Sequence, residues 1–226
     1  MRMGASRSCP AAPPSVEPVD AHVVAARPRD RRLGQEHLLA RADARAHGLT
    51  PTQVHAANSA AALTRPDLHF DLVRPGIALY GGVPVPGRDF GLRPAMTFAA
   101  PVILIKRIRQ GDGVSYGHSW IAPRDTVVGL IPAGYADGVW RPLSGRIEVA
   151  IGGCRFPQVG RVCMDQSVID LGPDGGGVSE GDTAVLFGEA PGADVAADWA
   201  EKVGTIDYEI LTGVRGRAVR TYTGDL

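Results

Sequence analysis

Two segments in the first third of the chain carry polar groups that could bind an anion. Ser59 follows Asn58 at the expected start of a helix, where free backbone N–H groups and the helix dipole favour negative charge. Fifteen residues later, Arg74 precedes Pro75 and Gly76 in an apolar run, and a glycine lets the backbone approach a ligand closely. The spacing fits a phosphate site, but it also fits a capped helix and a buried arginine paired with a carboxylate.

Tyr116 is the second candidate, and it lies in the segment GVSYGHSW at the end of an expected strand. A tyrosine can act as a general base when a nearby cation lowers its pKa from the ordinary value of ~10. The alternative is a core aromatic side chain whose hydroxyl group reaches solvent. Composition alone favours that alternative.

The third candidate is the segment GRVCMDQ, residues 160–166, which has charged groups at both ends of an otherwise apolar stretch. An edge strand with alternating faces is the simpler interpretation. Cys163 is expected to be a small buried side chain rather than a nucleophile, because no histidine and asparagine lie at a supporting spacing. His55 and His69 are too isolated to predict a metal site, and the sequence has neither an HExxH motif nor a phosphate loop of the GxxxxGKS or GxxxxGKT type.

The elements that must position these residues change in character along the chain. Residues 1–33 are rich in Pro and Arg without periodicity, and we expect a disordered, unrelated lead-in there. A helix over 35–47 and an alternation of apolar runs with polar caps predict an α/β layer across 34–85, too short to complete a barrel. Short β-rich runs separated by Gly, Pro and Asp predict a β-barrel or β-sandwich domain over 86–226, with one helix near 193–204 and further strands over 205–222.

Composition limits the kind of protein. A hydrophobic fraction of 44% supports a packed core, and 24 basic against 24 acidic residues argue against a surface built to bind nucleic acid. No apolar run approaches the ~20 residues that cross a bilayer, and the N-terminus has no apolar signal segment. Three cysteines without a CxxC pair predict neither a disulfide framework nor a zinc site, so the cytoplasm is the expected location.

Six segments follow one another in an order that is far more specific than any one of them: HAANSAAAL, HFDLVRPGIALYGG, GDGVSYGHSW, GLIPAGYADG, VGRVCMDQSVIDLG and GTIDYEI. In this order they resemble the pyridoxal-phosphate-dependent alanine racemases, from about residue 34 to 222. The resemblance implies a remnant of a (β/α)8 barrel followed by a C-terminal β domain. It further implies a homodimer with shared sites that interconverts L-alanine and D-alanine for peptidoglycan precursors.

The resemblance also implies roles for individual residues. Tyr116 is expected to be a catalytic acid/base, and the Met164 backbone is expected to bind the substrate carboxylate, both supplied from the partner chain. The cofactor is expected to contact His55, Ser59, Arg74, Gly76, Ile77 and Tyr208. Among these, Arg74 would face the pyridine nitrogen and His55 would orient Arg74. The channel through which substrate enters is expected to be lined by Tyr135, Arg161 and Ile206.

The resemblance does not extend to the first half of the family's sequence, which contains the Schiff-base lysine. Lys106 and Lys202 are the only lysines in the chain, and neither fits that motif. We therefore expect non-covalent cofactor contacts and impaired activity of the chain on its own. Two alternatives stay open: a non-catalytic dimerisation or regulatory partner that joins an intact racemase chain, and a pseudogene product that folds poorly.

Overall fold

The computed structural model describes residues 39–40, 42–49 and 52–224. These residues divide into two compact units, a first unit that ends at Arg93 and a second unit that begins at Pro94. The lead-in expected over 1–33 and the start of the helix expected at 35 lie outside the described residues. In the described part of the chain, no helix combines the length and the hydrophobicity that a bilayer span needs.

In the first unit, one helical segment ends and a second one begins where the sequence predicts. Helical turns at 39–40 and 42–46 finish at Gly48, whose φ of 75° is the left-handed conformation that glycine adopts easily. Helix α1, Ser59–Thr64, begins after Asn58, whose side chain accepts a hydrogen bond from the N–H group of Ala61 at 3.0 Å. The prediction of a polar N-cap at this position is confirmed.

The apolar run before Pro75 is less regular than the expected strand. A single parallel bridge joins His55 to Leu72, and the N–H group of Arg74 donates to the carbonyl oxygen of Ala57 at 2.7 Å. Pro75 has no N–H group to continue the ladder, and a 3-10 helix, Ile77–Tyr80, follows at once. A second 3-10 helix, Pro66–Leu68, follows α1.

The second unit contains nine short strands and two helices within the described residues. The strands are β1 Phe98–Pro101, β2 Leu104–Ile108, β3 Gly113–Val114, β4 Trp120–Ile121, β5 Thr126–Ile131, β6 Glu148–Ile151, β7 Cys154–Val159, β8 Ser167–Gly172 and β9 Thr183–Phe187. Seven of them form one antiparallel sheet in the order β1-β9-β6-β7-β8-β5-β2, while β3 and β4 pair as a separate hairpin. Helices α2, Ala196–Val203, and α3, Asp207–Gly213, complete the unit.

The seven-stranded sheet is curled, because its two edges are joined by a very short link. Strands β1 and β2 lie at opposite edges, yet only Val102 and Ile103 separate them in sequence. Three steps between successive Cα atoms cover at most ~11 Å, so the two edges must approach one another at this point. The prediction of a β domain of barrel or sandwich type is confirmed, and the domain is built on one curled sheet.

The core of the second unit is closed by α2. Trp199 is fully buried, and its ring meets the ring of Phe187 edge-on at 5.1 Å between centroids. Phe98 packs on the other side of Phe187 at 5.7 Å. A buried tryptophan removes roughly 150–250 Å² from water, so this contact fixes α2 on the sheet. Gly204, with a φ of 73°, ends the helix as the sequence predicts.

Two expectations need correction. The segment after Thr205 forms helix α3 rather than a strand, because Asp207 and Glu209 favour a first helical turn and Ile210 and Leu211 place apolar side chains on one buried face. Residues 161–166 form a loop between β7 and β8 rather than an edge strand. Cys163 is buried with a free thiol, as expected.

Limited proteolysis tests the predicted division near residue 86. Residues 82–97 contain no helix or strand, whereas the second unit is held by one curled sheet and its helices. We expect early cleavage before residue 98 and a resistant fragment that contains 98–222, detected by mass spectrometry. A stable fragment that ends before residue 98, with digestion of the rest, would contradict the predicted boundary.

Candidate functional site

Tyr116 lies on a short exposed loop, residues 115–118, between β3 and β4, and we name it the Tyr116 loop. The side chain of Tyr116 is 74% exposed, so the interpretation of a core aromatic residue is wrong. The hairpin beneath the loop pairs Val114 with Trp120 and Gly113 with Ile121. Val114 belongs to a small apolar cluster with Ile108, Ala122 and Val159, and that cluster anchors the base of the loop.

The backbone of the Tyr116 loop is left-handed at three of its four residues. Ser115 has φ 61° and ψ −175°, a region that is essentially restricted to glycine. Gly117 has φ 70° and His118 has φ 45°. Non-glycine residues in such conformations cost about 1–3 kcal/mol each, and they persist only where the surrounding structure holds them. Tyr116 is therefore presented by a strained turn.

The Tyr116 loop touches the start of the loop between β7 and β8, residues 161–166, which we name the Met164 loop. A Cβ atom at Gly117 would lie 3.6 Å from the guanidinium nitrogen Nη1 of Arg161. Arg161, which the resemblance selects, thus lies beside the residue that follows Tyr116. Both Tyr116 and Arg161 are exposed.

A third loop, residues 134–138, packs against the Met164 loop, and we name it the Tyr135 loop. The N–H group of Tyr135 donates to the carbonyl oxygen of Cys163, and that of Ala136 donates to the carbonyl oxygen of Met164, each at 3.0 Å. A Cβ atom at Gly134 would lie 2.3 Å from both carbonyl oxygens, so only glycine allows this approach. The contact fixes Tyr135 beside Met164.

The Met164 loop presents backbone donors that have no partner among the described residues, and Met164 carries one of them. Met164 is 54% exposed, and its carbonyl oxygen accepts the hydrogen bond from the N–H group of Ala136. The N–H group of Met164 makes no hydrogen bond within the part of the chain that the structure describes. A free N–H group on an exposed, well-anchored loop is suited to donate a hydrogen bond to a carboxylate.

Arg217 ties the Tyr135 loop and the Met164 loop together from the end of the chain. Its guanidinium group donates to both carboxylate oxygens of Asp137, at 3.1 and 2.7 Å. It also donates to the carbonyl oxygens of Pro132 and Asp165, at 3.3 and 3.0 Å. A planar guanidinium group is well suited to hold several acceptors in fixed directions.

Asp137 is buried, and its environment changes its acidity. Burial by itself would raise the pKa of Asp137, but the hydrogen bonds from Arg217 and from the N–H group of Gly134 outweigh it and hold the pKa below its ordinary value. The carboxylate is therefore charged whenever the protein is folded near neutral pH. Neither Asp137 nor Arg217 was selected from the sequence, because 80 residues separate them and no local pattern connects them.

An open depression of about 680 Å³ lies at the junction of α2 and α3. Its lining consists of Gly204, Thr205, Ile206, Tyr208, Glu209 and Thr212. Two residues that the resemblance selects, Ile206 and Tyr208, thus share one surface. Ile206 is 63% exposed, while Tyr208 is half-buried on α3.

In the first unit, Ser59 connects the start of α1 to the turn after Pro75. Its buried hydroxyl oxygen accepts hydrogen bonds from the N–H groups of Gly76 at 2.7 Å and Ala78 at 3.3 Å. Ile77, between these two donors, is buried. Three of the residues expected to contact a phosphate group, Ser59, Gly76 and Ile77, are therefore assembled at one point.

Arg74 and His55 lie next to this point but are not joined to each other. Both side chains are exposed, and the alternative of a buried Arg74 paired with a carboxylate is wrong. Within the described residues, no carboxylate lies within salt-bridge distance of Arg74, and His55 makes no hydrogen bond to it. The orienting role of His55 stays a prediction. No group of three metal-binding side chains occurs in the part of the chain that the structure describes.

Comparison with known proteins places this architecture in one family. Residues 95–222 match the family model "Alanine racemase, C-terminal domain", and residues 22–84 match "Alanine racemase, N-terminal domain". A relative from Mycolicibacterium vanbaalenii, an alanine racemase, is 60% identical over 183 residues, which are 79% of this chain and 46% of that protein. The alanine racemase of Mycolicibacterium smegmatis is 58% identical over 191 residues, 84% of this chain and 49% of that protein.

A solved structure shows the same fold. The crystal structure of the alanine racemase from a D-cycloserine-producing Streptomyces lavendulae superposes with a TM-score of 0.82 at 45% identity, covering 88% of this chain and 53% of that chain. The chain spans about half the length of the relatives that it matches. It combines part of an N-terminal barrel domain with a C-terminal β domain, as the sequence predicts. The chain belongs to the alanine racemase family.

The Asp137–Arg217 pair generates a prediction about pH. A carboxyl group whose pKa is lower in the folded state stabilises the fold above its unfolded pKa of ~3.9, and this contribution disappears as the pH falls through the folded value. We expect Asp137→Asn to lower the melting temperature at pH 7, and we expect the difference from wild type to shrink below about pH 4. Thermal unfolding followed by circular dichroism from pH 3 to 7 measures this. A difference that stays constant over that range would contradict the charged state of Asp137.

Proposed function

We propose that this chain takes part in the interconversion of L-alanine and D-alanine with pyridoxal phosphate, as the names of its relatives suggest. The single observation that carries the proposal is the presentation of Tyr116, 74% exposed on a strained turn against Arg161, in a β domain of this family. An exposed tyrosine on a strained turn, with Arg161 against the next residue, is suited to proton transfer rather than to packing. In the proposed role, the Tyr116 hydroxyl group exchanges a proton with the Cα atom of alanine.

The residues around Ser59 fit the phosphate group of the cofactor. The Ser59 hydroxyl oxygen lies 2.7 Å from the Gly76 nitrogen and 3.3 Å from the Ala78 nitrogen, so a hydroxyl group and glycine-containing backbone, both of which bind phosphate in proteins, meet at one point. The Ser59 oxygen accepts hydrogen bonds from both N–H groups, so the hydroxyl hydrogen atom of Ser59 is available to a phosphate oxygen. We assign Ser59, Gly76 and Ile77 to the phosphate group, and the Tyr208 hydroxyl group to the same role on the strength of the family resemblance.

Arg74 fits the ring of the cofactor. Its exposed guanidinium group has no carboxylate partner among the described residues, so it is free to face the pyridine nitrogen. When bound, the cofactor withdraws electrons from the Cα–H bond of the amino acid and makes that hydrogen atom acidic. A fixed guanidinium group opposes a proton on the neighbouring nitrogen, which moderates the withdrawal and favours simple racemisation over side reactions. His55 is assigned the task of orienting Arg74.

Substrate binding is assigned to the three loops of the second unit. The free N–H group of Met164 is suited to the carboxylate of alanine, and Arg217 keeps the loop that carries it in place. Tyr135, Arg161 and Ile206 are exposed and are assigned to the channel through which alanine enters. By the family resemblance, these groups serve a site on a partner chain, in a homodimer or in a heterodimer with an intact racemase chain. The cytoplasmic location stays a prediction.

Neither lysine of the 226 residues is placed to hold the cofactor covalently. Lys202 forms an ion pair with the buried carboxylate of Asp194 at 2.6 Å, and Asp194 also pairs with Arg155. Lys106 is exposed on β2, in a strand that pairs with β5 on one side only. We therefore propose that residues 1–226 contact the cofactor only non-covalently.

Complementation tests the role of Tyr116. The chain is co-expressed with an alanine racemase whose own tyrosine base is replaced by phenylalanine, and racemisation is measured by chiral chromatography. We expect the chain to restore activity by ~10²–10⁴-fold, the usual contribution of a positioned acid/base group. Tyr116→Phe should abolish the restoration, whereas Tyr222→Phe, at an equally exposed tyrosine outside the proposed site, should retain it. A heterodimer that forms without any gain in rate would contradict the proposed role.

Borohydride reduction tests the assignment of the lysines. After incubation of the chain with pyridoxal phosphate, reduction fixes any cofactor bound to a lysine, and peptide mapping locates it. We expect no lysine to be labelled stoichiometrically, because Lys202 is held by Asp194 and Lys106 is solvent-exposed on β2. An intact alanine racemase treated in parallel provides the positive control. One stoichiometric label on Lys106 or Lys202 would show that this chain holds the cofactor covalently by itself.

A further inference from the structure

The Tyr116 loop is held by two close contacts with glycines outside it. A Cβ atom at Gly113 would lie 2.3 Å from Cγ and 2.6 Å from Nδ1 of the His118 ring. A Cβ atom at Gly160 would lie 2.8 Å from the hydroxyl oxygen of Ser115. Both distances are far below van der Waals contact. His118 and Ser115 therefore occupy the space that a side chain at Gly113 or Gly160 would need.

A backbone hydrogen bond from His118 to Ser115, at 3.2 Å, joins the two flanks of the loop, but the Ser115 side chain is not held in this way. The Ser115 hydroxyl oxygen is buried and has no hydrogen-bond partner in the described part of the chain. A buried hydroxyl group without a partner is unfavourable, so hydrogen bonding does not explain why Ser115 lies there. Its position is explained by packing against Gly160, with the backbone in the conformation normally restricted to glycine.

We propose that Gly113 and Gly160 are positioning residues for Tyr116. Because they have no side chain, His118 packs against Gly113 and Ser115 packs against Gly160, and these contacts fix the direction of the tyrosine between them. The inference rests on the proposed function of Tyr116 as the acid/base group. Positioning matters for such a group, since a displacement of about 1 Å costs roughly 10²-fold in rate. The two glycines act through the loop and have no contact with alanine assigned to them.

The clearest variant is Gly113→Ala, because the backbone of Gly113 is not left-handed and the three atoms nearest to the new methyl group all belong to His118. Gly160→Ala adds backbone strain at a φ of 69°, and Gly145→Ala is its matched control, with the same φ and open space around the new methyl group. The double variant Gly113→Ala/His118→Gly removes the side chain with which the methyl group collides. The single variant His118→Gly completes the double-mutant cycle.

The position of Tyr116 is measured directly by ¹⁹F NMR of the chain labelled with 3-fluorotyrosine, with the resonance assigned by Tyr116→Phe. We expect Gly113→Ala and Gly160→Ala to shift or broaden this resonance while the other tyrosine resonances stay in place. Gly145→Ala should leave it unchanged. In the His118→Gly background, adding Gly113→Ala should have no further effect, because the collision is gone.

Complementation of the tyrosine-deficient racemase supplies the kinetic measurement. We expect Gly113→Ala to lower kcat about 10²-fold with little change in KM, since the substrate carboxylate contacts stay in place. A Tyr116 resonance that is unchanged in Gly113→Ala, or one that Gly145→Ala moves equally, would overturn the proposal. If the resonance moves as expected but the wild-type chain gives no complementation, the proposed function fails and the positioning of Tyr116 stands.

Discussion

The link of two residues between β1 and β2 is the constraint on which the second unit depends. Because Val102 and Ile103 join opposite edges of the seven-stranded sheet, the sheet must curl. Within the curled sheet, the antiparallel register brings neighbouring strand ends to one rim: Ile131 at the end of β5 pairs with Ser167 at the start of β8, and Val159 at the end of β7 pairs with Val168. The Tyr135 loop and the Met164 loop both leave the sheet at this rim.

The rim is then stiffened by polar contacts rather than by further packing. Gly134 permits two backbone hydrogen bonds between the Tyr135 loop and the Met164 loop, and Arg217 adds an ion pair and two carbonyl contacts. The Asp137 carboxylate is buried, so removal of its partner would leave an uncompensated charge in a poorly hydrated place. Exposed side chains such as Met164 and Tyr135 are thus carried by a rigid backbone, which is the arrangement that a binding site needs.

Much of this arrangement could be predicted from the sequence. The cap at Asn58, the end of α2 at Gly204 and the β character of the second unit follow from local preferences, because each depends on neighbouring residues. Helix α3 was expected as a strand, since its apolar residues alone do not distinguish the two periodicities over so short a length. Composition suggested a core position for Tyr116, and the strained turn that exposes it has no signature in the sequence. The family resemblance selected Tyr116, but it gave no indication of Asp137 and Arg217.

The position of Arg217 in the chain has a consequence for biosynthesis. The loops that it joins contain Asp137 and Asp165, which are translated 80 and 52 residues earlier. During synthesis the curled sheet can begin to form as soon as its strands leave the ribosome. At that stage no guanidinium group yet holds the two loops of the rim together. Until residue 217 emerges, the Asp137 carboxylate remains a charge without its partner and is better placed in water than in the core. The nascent protein therefore acquires an ordered rim only after residue 217 has emerged, later than the sheet that supports it.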